Sequence, residues 1–373
     1  MVSISVIIVN YNARYFLRNC IGSILSSDIA EEVEVIVVDN NSSDGSSEMI
    51  QRDFPQVNYV QNDENIGFSK ANNIGVSLAK GSYVLILNPD TMLTETTLSE
   101  LLHFSEQQAD FGAAGVHFID GSGKYLPESK RNFPDLKVAG AKLLGYSKYY
   151  YANHIGKNEI TEIDILTGAF MFIKKKVYKE VGGFDEDFFM YGEDIDLSYR
   201  ISSSGYKNYY VGSTKVLHFK GESTVKNTFY FRNFYGALSI FYRKHFPNRK
   251  ALYGLIEVLV SMIITVKSVR VSPDKGDPVM FDTWIYFGND KQVFEKLKNK
   301  YPFSNGLYEQ PAGKEFLQPE LAFFDSKNLS YTKIIERISD PNFSGVKKRI
   351  ISADQSFYLG SDASDERGEV VIL

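Results

Sequence analysis

SVIIVNYN from Ser5 to Asn12, VIVVDNNSSDG from Val35 to Gly45, NIGF from Asn65 to Phe68 and YVLILNPD from Tyr83 to Asp90 decide the fold of this chain. Three of these stretches open as unbroken apolar, β-branched runs, the pattern of strands buried on both faces, and close on Asn or Asp. Between them the spacing is helical. Leu17, Ile21, Ile24 and Leu25 recur within 14–25, residues 44–53 are entered through Ser and Asp capping residues, and 68–79 follow Asn65-Ile-Gly67. A short strand at 57–60 supplies the fourth run. Apolar strands alternating with helices predict an α/β, Rossmann-like domain with a parallel sheet covered on both faces. Ligands of such sheets sit beyond the carboxyl ends of the strands. One Asn or Asp there is an ordinary turn or cap signal, but four consecutive strands delivering Asn10 and Asn12, Asp39, Asn65, then Asn88 and Asp90 to one edge argue for a polar-ligand site.

Downstream the pattern predicts a helix at 95–108, a strand at 112–117, a basic loop from Lys130 to Pro134, and a strand at 165–174 containing Thr167-Gly168. A helix at 193–203 and strands at 207–211 and 216–218 follow. Leu252–Val269 is mostly apolar but carries Glu257, Ser261 and Lys267, with Arg243, Lys244, Arg249 and Lys250 before it. That charge pattern fits a helix lying on an anionic membrane surface or a buried interdomain helix better than a spanning one. Ser272–Gly276 reads as a linker to a second, small Rossmann-like α/β pattern. Its Phe287-Gly-Asn-Asp290 is no Gly-x-Gly-x-x-Gly loop, so nothing supports dinucleotide binding there. The expected organisation is a catalytic domain at 1–245, a helical segment at 246–273 and an appended domain of unknown role at 274–373.

The 373 residues carry 41 Lys+Arg against 46 Asp+Glu, a balance that argues against a nucleic-acid partner. Cys20, the single cysteine, excludes an intrachain disulfide framework and a cysteine zinc cluster, and reads as a buried small apolar residue. The apolar start lacks a basic leader, so a cytoplasmic location is expected, on the inner face of the membrane if Leu252–Val269 rests there.

No P-loop and no Gly-x-Ser-x-Gly elbow is present. Asp90 beside Asn88 offers hard oxygen donors suited to Mg²⁺ or Mn²⁺ on a diphosphate, and His218 is a further candidate ligand. Glu193-Asp194 at a helix start fits either a helix-dipole partner or a general base for a hydroxyl.

Taken in order, Val9–Asn12, Val38–Gly45, Asn65–Phe68, Leu87–Asp90 and Phe189–Asp196 resemble glycosyltransferase family two, the inverting GT-A enzymes, and most closely its rhamnosyltransferase-like branch, over roughly residues 3–245. The resemblance implies that Asp39, Asn10 and Asn12 hold the donor's base and that Asn65 and Gly67 form the nucleotide-side turn. It also implies that Asn88-Pro-Asp90 stands in place of Asp-x-Asp, with Asp90 and His218 as metal ligands. Asp194 matches the catalytic base, Glu193 shapes the acceptor pocket, and Arg131 contacts the diphosphate or an anionic acceptor. The implied reaction is one metal-assisted displacement with inversion, from deoxythymidine-diphospho-rhamnose or a UDP-sugar to a growing, lipid-linked cell-surface glycan or glycolipid. No Gln-x-x-Arg-Trp is present, which argues against a processive polymerase. A sugar-nucleotide-binding scaffold and a paired-carboxylate hydrolase are the competing readings. An oligomer is compatible with either.

Overall fold

A computed structural model describes residues 2–134, 138, 148–220, 228–248, 261, 281–308, 319–364 and 367–373. Apart from Ser261, the Leu252–Val269 segment lies outside the described residues, as does the Ser272–Gly276 linker.

The first half follows the predicted alternation: β1 (Val2–Asn10), α1 (Arg14–Leu25), β2 (Glu32–Asp39), α2 (Ser46–Asp53), β3 (Asn58–Gln61), α3 (Phe68–Leu78) and β4 (Tyr83–Leu87). Their strands lie in the order β3-β2-β1-β4, all parallel. The apolar runs are unbroken because both faces are covered. Ile4, Val6 and Ile8 of β1 pack with Leu17, Ile21 and Ile24 of α1, while Ile7 and Val9 face Ala71 and Val76 of α3. Cys20 is buried in the first of these layers.

The later elements are β5 (Thr91–Met92), α4 (Thr97–Glu106), β6 (Phe111–Ile119), β7 (Ile160–Glu162), β8 (Phe170–Lys174), α5 (Lys175–Glu180), α6 (Glu193–Ser203), β9 (Lys207–His218) and α7 (Thr228–His245). Here the sheet departs from the all-parallel expectation. β8 runs antiparallel between β4 and β6, and β5 and β7 pair antiparallel with β9. The strand expected at 165–174 keeps only its second half in the ladder, and Thr167–Ala169 turns toward the ligand edge. The two strands expected at 207–211 and 216–218 are one, its register shifting opposite Val116/His117. β5 and β7, two and three residues long, are too short to show a period.

A second sheet holds β10 (Thr283–Phe287), β11 (Asn305–Tyr308), β12 (Leu321–Asp325), β13 (Lys347–Ile351), β14 (Phe357–Gly360) and β15 (Glu369–Ile372) in the order β11-β10-β12-β13-β14-β15. Helices α8 (Lys291–Lys300) and α9 (Tyr331–Ser339) connect the parallel strands. The Asp290 side chain accepts from Gln292 N at the start of α8, so a carboxylate occupies the place where a phosphate would bind.

Candidate active site

Three stations line up along the carboxyl edge of the first sheet. The first lies at the ends of β1 and β2, where Asn10 and Asp39 are register partners. Both are fully buried. Asn10 Nδ2 donates to Asp39 Oδ2 at 2.6 Å and to Ser46 Oγ at 3.0 Å, and Asp39 Oδ1 accepts from Ser42 N at 2.7 Å. Asn12, with φ 53°, accepts from Ser43 N and donates its own N–H to Ser42 Oγ. These bonds fold the 40–46 loop into a polar cup between the two strands. Asn65 Oδ1 accepts from Gly67 N, and Asn40 Nδ2 donates to Gly67 O. Gly67 has φ 88°, and a Cβ there would lie 2.5 Å from Phe189 O. The position needs glycine for both reasons.

Asp90 and His218 form the second station. Thr91 pairs with His218 across β5 and β9, and Phe219 N donates to Asp90 O at 3.0 Å. His218 Nε2 lies 3.4 Å from Asp90 Oδ1, both side chains being buried. Asp90 Oδ1 and His218 Nδ1 have no hydrogen-bond partner. Buried polar atoms are ordinarily paired, so this orphaned pair fits a group that completes the site. A carboxylate oxygen and an imidazole suit a hard or borderline divalent cation whose remaining positions go to a diphosphate and water. Among the described residues no group of three or more acidic, His or Cys side chains that could hold a metal gathers here or elsewhere, so this station offers two protein ligands. Nearby, Lys220 Nζ is 2.6 Å from Glu128. Burial pushes the Glu128 carboxyl up, but Lys220 outweighs it and leaves a net downward shift.

The third station is the start of α6. Tyr191 and Gly192 adopt positive φ of 72° and 81°, a turn that sends Glu193 and Asp194 into the interior. Asp194 Oδ2 accepts from Arg131 Nη2 at 2.6 Å and from Gly168 N at 3.0 Å. Its Oδ1 accepts from Ile195 N. Glu193 is buried beside it, its Oε2 without a partner. Desolvation, and then the neighbouring Asp194 charge, push the Glu193 carboxyl up to about 8. Asp194 is thus pinned by three donors, while its buried neighbour Glu193 is held as a neutral acid at neutral pH.

Arg131, expected on the diphosphate or an anionic acceptor, is bonded inward. Its guanidinium donates to Asp194, Tyr150 Oη and Leu166 O and is nearly sealed from solvent. Burial disfavours that charge, yet Asp194 more than compensates, so Arg131 is held more firmly protonated than usual. Lys130 is likewise turned inward, onto Ile155 O.

The stations are physically joined. Ala169 O accepts from Asn88 N at 3.0 Å while the adjacent Gly168 N donates to Asp194, so one short turn touches both the Asn88–Asp90 strand end and the Glu193–Asp194 pair. Phe189 O accepts from Phe68 N at 2.7 Å and ties the Gly67 turn to the same segment. Beside Asp194 opens a cavity of about 200 Å³ walled by Arg131, Tyr150, Tyr191, Phe234, Tyr235 and Phe241. Aromatic faces beside a carboxylate are suited to a sugar ring.

Tyr150, Gly168 N and His245 carry no sequence signal of their own. His245, on α7, lies 2.6 Å from Asp196 Oδ1, and Arg200 Nε lies 2.8 Å from Asp196 Oδ2. Burial raises the Asp196 carboxyl, but His245 and Arg200 bring it below the usual range. This cluster fastens the aromatic wall of α7 to the helix that carries Asp194. The i,i+4 spacing of Asp196 and Arg200 was the available signal.

Residues 5–182 match the family model described as glycosyl transferase family 2. The N-acetylglucosaminyl-diphospho-decaprenol L-rhamnosyltransferase of Mycobacterium tuberculosis (strain ATCC 25618 / H37Rv) is 28% identical over 238 residues, 59% of this chain and 76% of that protein. The rhamnosyltransferase WbbL of Escherichia coli (strain K12) is 28% identical over 225 residues, 57% of this chain and 82% of that protein. Among solved structures, the mannosyltransferase PcManGT from Pyrobaculum calidifontis, in complex with GDP-Man and Mn²⁺, aligns with a TM-score of 0.48 and 17% identity, covering 72% of this chain and 76% of that one.

Proposed function

We propose that this chain, whose residues 5–182 match the glycosyl transferase family 2 model, transfers one sugar from a nucleoside-diphosphate sugar to an acceptor hydroxyl with inversion at the anomeric carbon. The observation that carries this reading is the single Gly168–Ala169 turn that touches both the Asn88–Asp90 strand end and Asp194. Leaving group and attacking hydroxyl must be served within one sugar ring of each other.

In this reading the cup of Asn10, Asn12 and Asp39 takes the base, and the Asn65–Gly67 turn closes beside it. Asn88 and Asp90 end the strand facing the diphosphate. Asp90 and His218 would hold Mg²⁺ or Mn²⁺, which when bound supplies positive charge to the leaving diphosphate. Asp194 accepts the proton of the acceptor hydroxyl. Arg131 and Gly168 N hold that carboxylate in place and aimed. Glu193, uncharged, lines the acceptor side without adding a second repelling charge near the sugar. The aromatic cavity receives the acceptor ring. Rhamnosyltransferases among the relatives make deoxythymidine-diphospho-rhamnose the first donor to try, with UDP-sugars next, and a diphospho-lipid-linked glycan the first acceptor. Attachment to the membrane surface belongs to this proposal. Among the described residues no helix is long and apolar enough to cross a bilayer.

The test is transfer from those donors, with the product's anomeric configuration read by NMR. Asp194→Asn is expected to lower kcat at least about 10²-fold while donor affinity holds. Full transfer by that variant, or retention of configuration, would overturn the reading.

A further inference from the structure

The ribbon that carries the two proposed metal ligands cannot support itself. β5 is two residues long, and Asp90 and His218 sit at its mouth, one just before β5 and one ending β9. So short a pairing is not independently stable in water. Its other cross-strand pair, Met92 and Leu217, points away from the ligand edge into a layer shared with the second sheet. There Phe16, Met92, Ile119, Leu217 and Phe219 pack with Ile334, Ile338, Phe343 and Phe357.

Polar contacts fix the same interface at its rim. Glu95, three residues after Met92, accepts from the first backbone N–H groups of α9, Tyr331 N at 2.6 Å and Thr332 N at 2.9 Å, and from Thr332 Oγ1. Burial raises the Glu95 carboxyl, but these bonds prevail and hold it below its ordinary range. Arg18 Nη2 lies 2.9 Å from Asp354, and Lys348 Nζ donates to Ser122 O at 2.9 Å. Gly123, at φ 87°, lies so close to the end of α9 that a Cβ would fall 1.9 Å from Ile338 O. α9, docked by its N-terminus and by Ile334 and Ile338, thus lies directly behind the ladder that aligns Asp90 with His218.

We propose that the second sheet, together with α9, is an intramolecular brace for the metal edge. Glu95, Met92, Leu217 and Ile338 are positioning residues that set the Asp90–His218 geometry through the back of the β5·β9 ladder. The brace rests on the transferase reading above only in that Asp90 and His218 bind a divalent cation.

The experiment measures Mn²⁺ binding to the full chain by the loss of free-ion EPR signal, with UDP or deoxythymidine diphosphate present. Nucleotide affinity without metal is measured alongside. Glu95→Ala and Ile338→Ala loosen the interface. Leu297→Ala cuts the opposite face of the same sheet, where Leu297 packs with Trp284 and Phe323. The brace predicts Mn²⁺ affinity about 10-fold or more weaker in the two interface variants, the size expected when an outer support of a ligand is lost. Metal-free nucleotide binding and the Leu297→Ala chain are expected at wild-type values. Unchanged Mn²⁺ affinity in Glu95→Ala and Ile338→Ala would overturn the brace. Equal weakening in all three would do the same, because it would report only domain stability. A wild-type chain that binds nucleotide but no Mn²⁺ would remove the metal reading itself, and the brace with it.

Discussion

Replacing Glu193 with glutamine should change stability in a pH-dependent way. In the folded chain Glu193 stays protonated until about 8, against an ordinary 4.5 when unfolded. Between those values the folded state holds a proton that the unfolded chain has released, so stability falls as pH rises through the window. For an isolated group moved that far, the linkage between pH 5 and pH 8 comes to about 3–4 kcal/mol, from 1.36 kcal/mol per pH unit less the curvature at each end. The amide of Glu193→Gln does not titrate. Relative to wild type, the variant should therefore gain about 3–4 kcal/mol on going from pH 5 to pH 8, starting near parity. At about 2–4 °C per kcal/mol for a domain of this size, the Tm difference should open by roughly 7–14 °C. Thermal unfolding followed by circular dichroism at pH 5, 6.5 and 8 reads this directly. Parallel Tm profiles for the two chains across that range would refute the claim that Glu193 is a buried neutral acid. In the transfer assay near pH 7 the same variant should stay within about tenfold of wild type, because an amide replaces an already uncharged carboxyl.

Arg131→Gln leaves Asp194 as a buried, uncompensated charge and should cost about 3–5 kcal/mol in chemical denaturation, with Arg131→Lys recovering part of it. Wild-type stability in Arg131→Gln would show that the ion pair does not hold Asp194. Phe234→Ala opens the cavity beside Asp194 and is expected to raise the acceptor KM about 10-fold with the donor KM unchanged, the size of a lost stacking face. An effect on the donor alone would move that cavity to the other substrate. Removing residues 250–271 should release the chain from the membrane pellet in a flotation assay; a chain that still floats would place its membrane contact elsewhere.

The α/β character of the first half was legible because burial on both faces leaves unbroken apolar runs, as in Val6–Val9 of β1 and Val35–Val38 of β2. The edge residues were legible too, since Asn10, Asp39 and Asp90 each end a run. Strand direction was not. β8 has the apolar run of its parallel neighbours yet pairs antiparallel, because direction is set by the connections rather than by burial. Arg131 shows the same limit at the site. A basic loop in the sequence suggests a free cation, but whether that cation meets a diphosphate or a buried carboxylate depends on Asp194, 63 residues away. The brace was hidden for a related reason. Met92 and Leu217 read as ordinary core residues, and nothing local distinguishes a residue buried under its own sheet from one buried under another. Glu95 likewise looks like a helix-start acid of α4, whereas it caps α9, 236 residues on.

The most direct test of the donor site is calorimetric titration of UDP and of deoxythymidine diphosphate, with and without Mn²⁺, into the wild-type chain and into Asp90→Ala. The predicted result is that one of the two nucleotides binds, that Mn²⁺ strengthens it, and that Asp90→Ala abolishes the metal effect. Binding of neither nucleotide to the folded chain, or binding indifferent to Mn²⁺ and to Asp90, would contradict it.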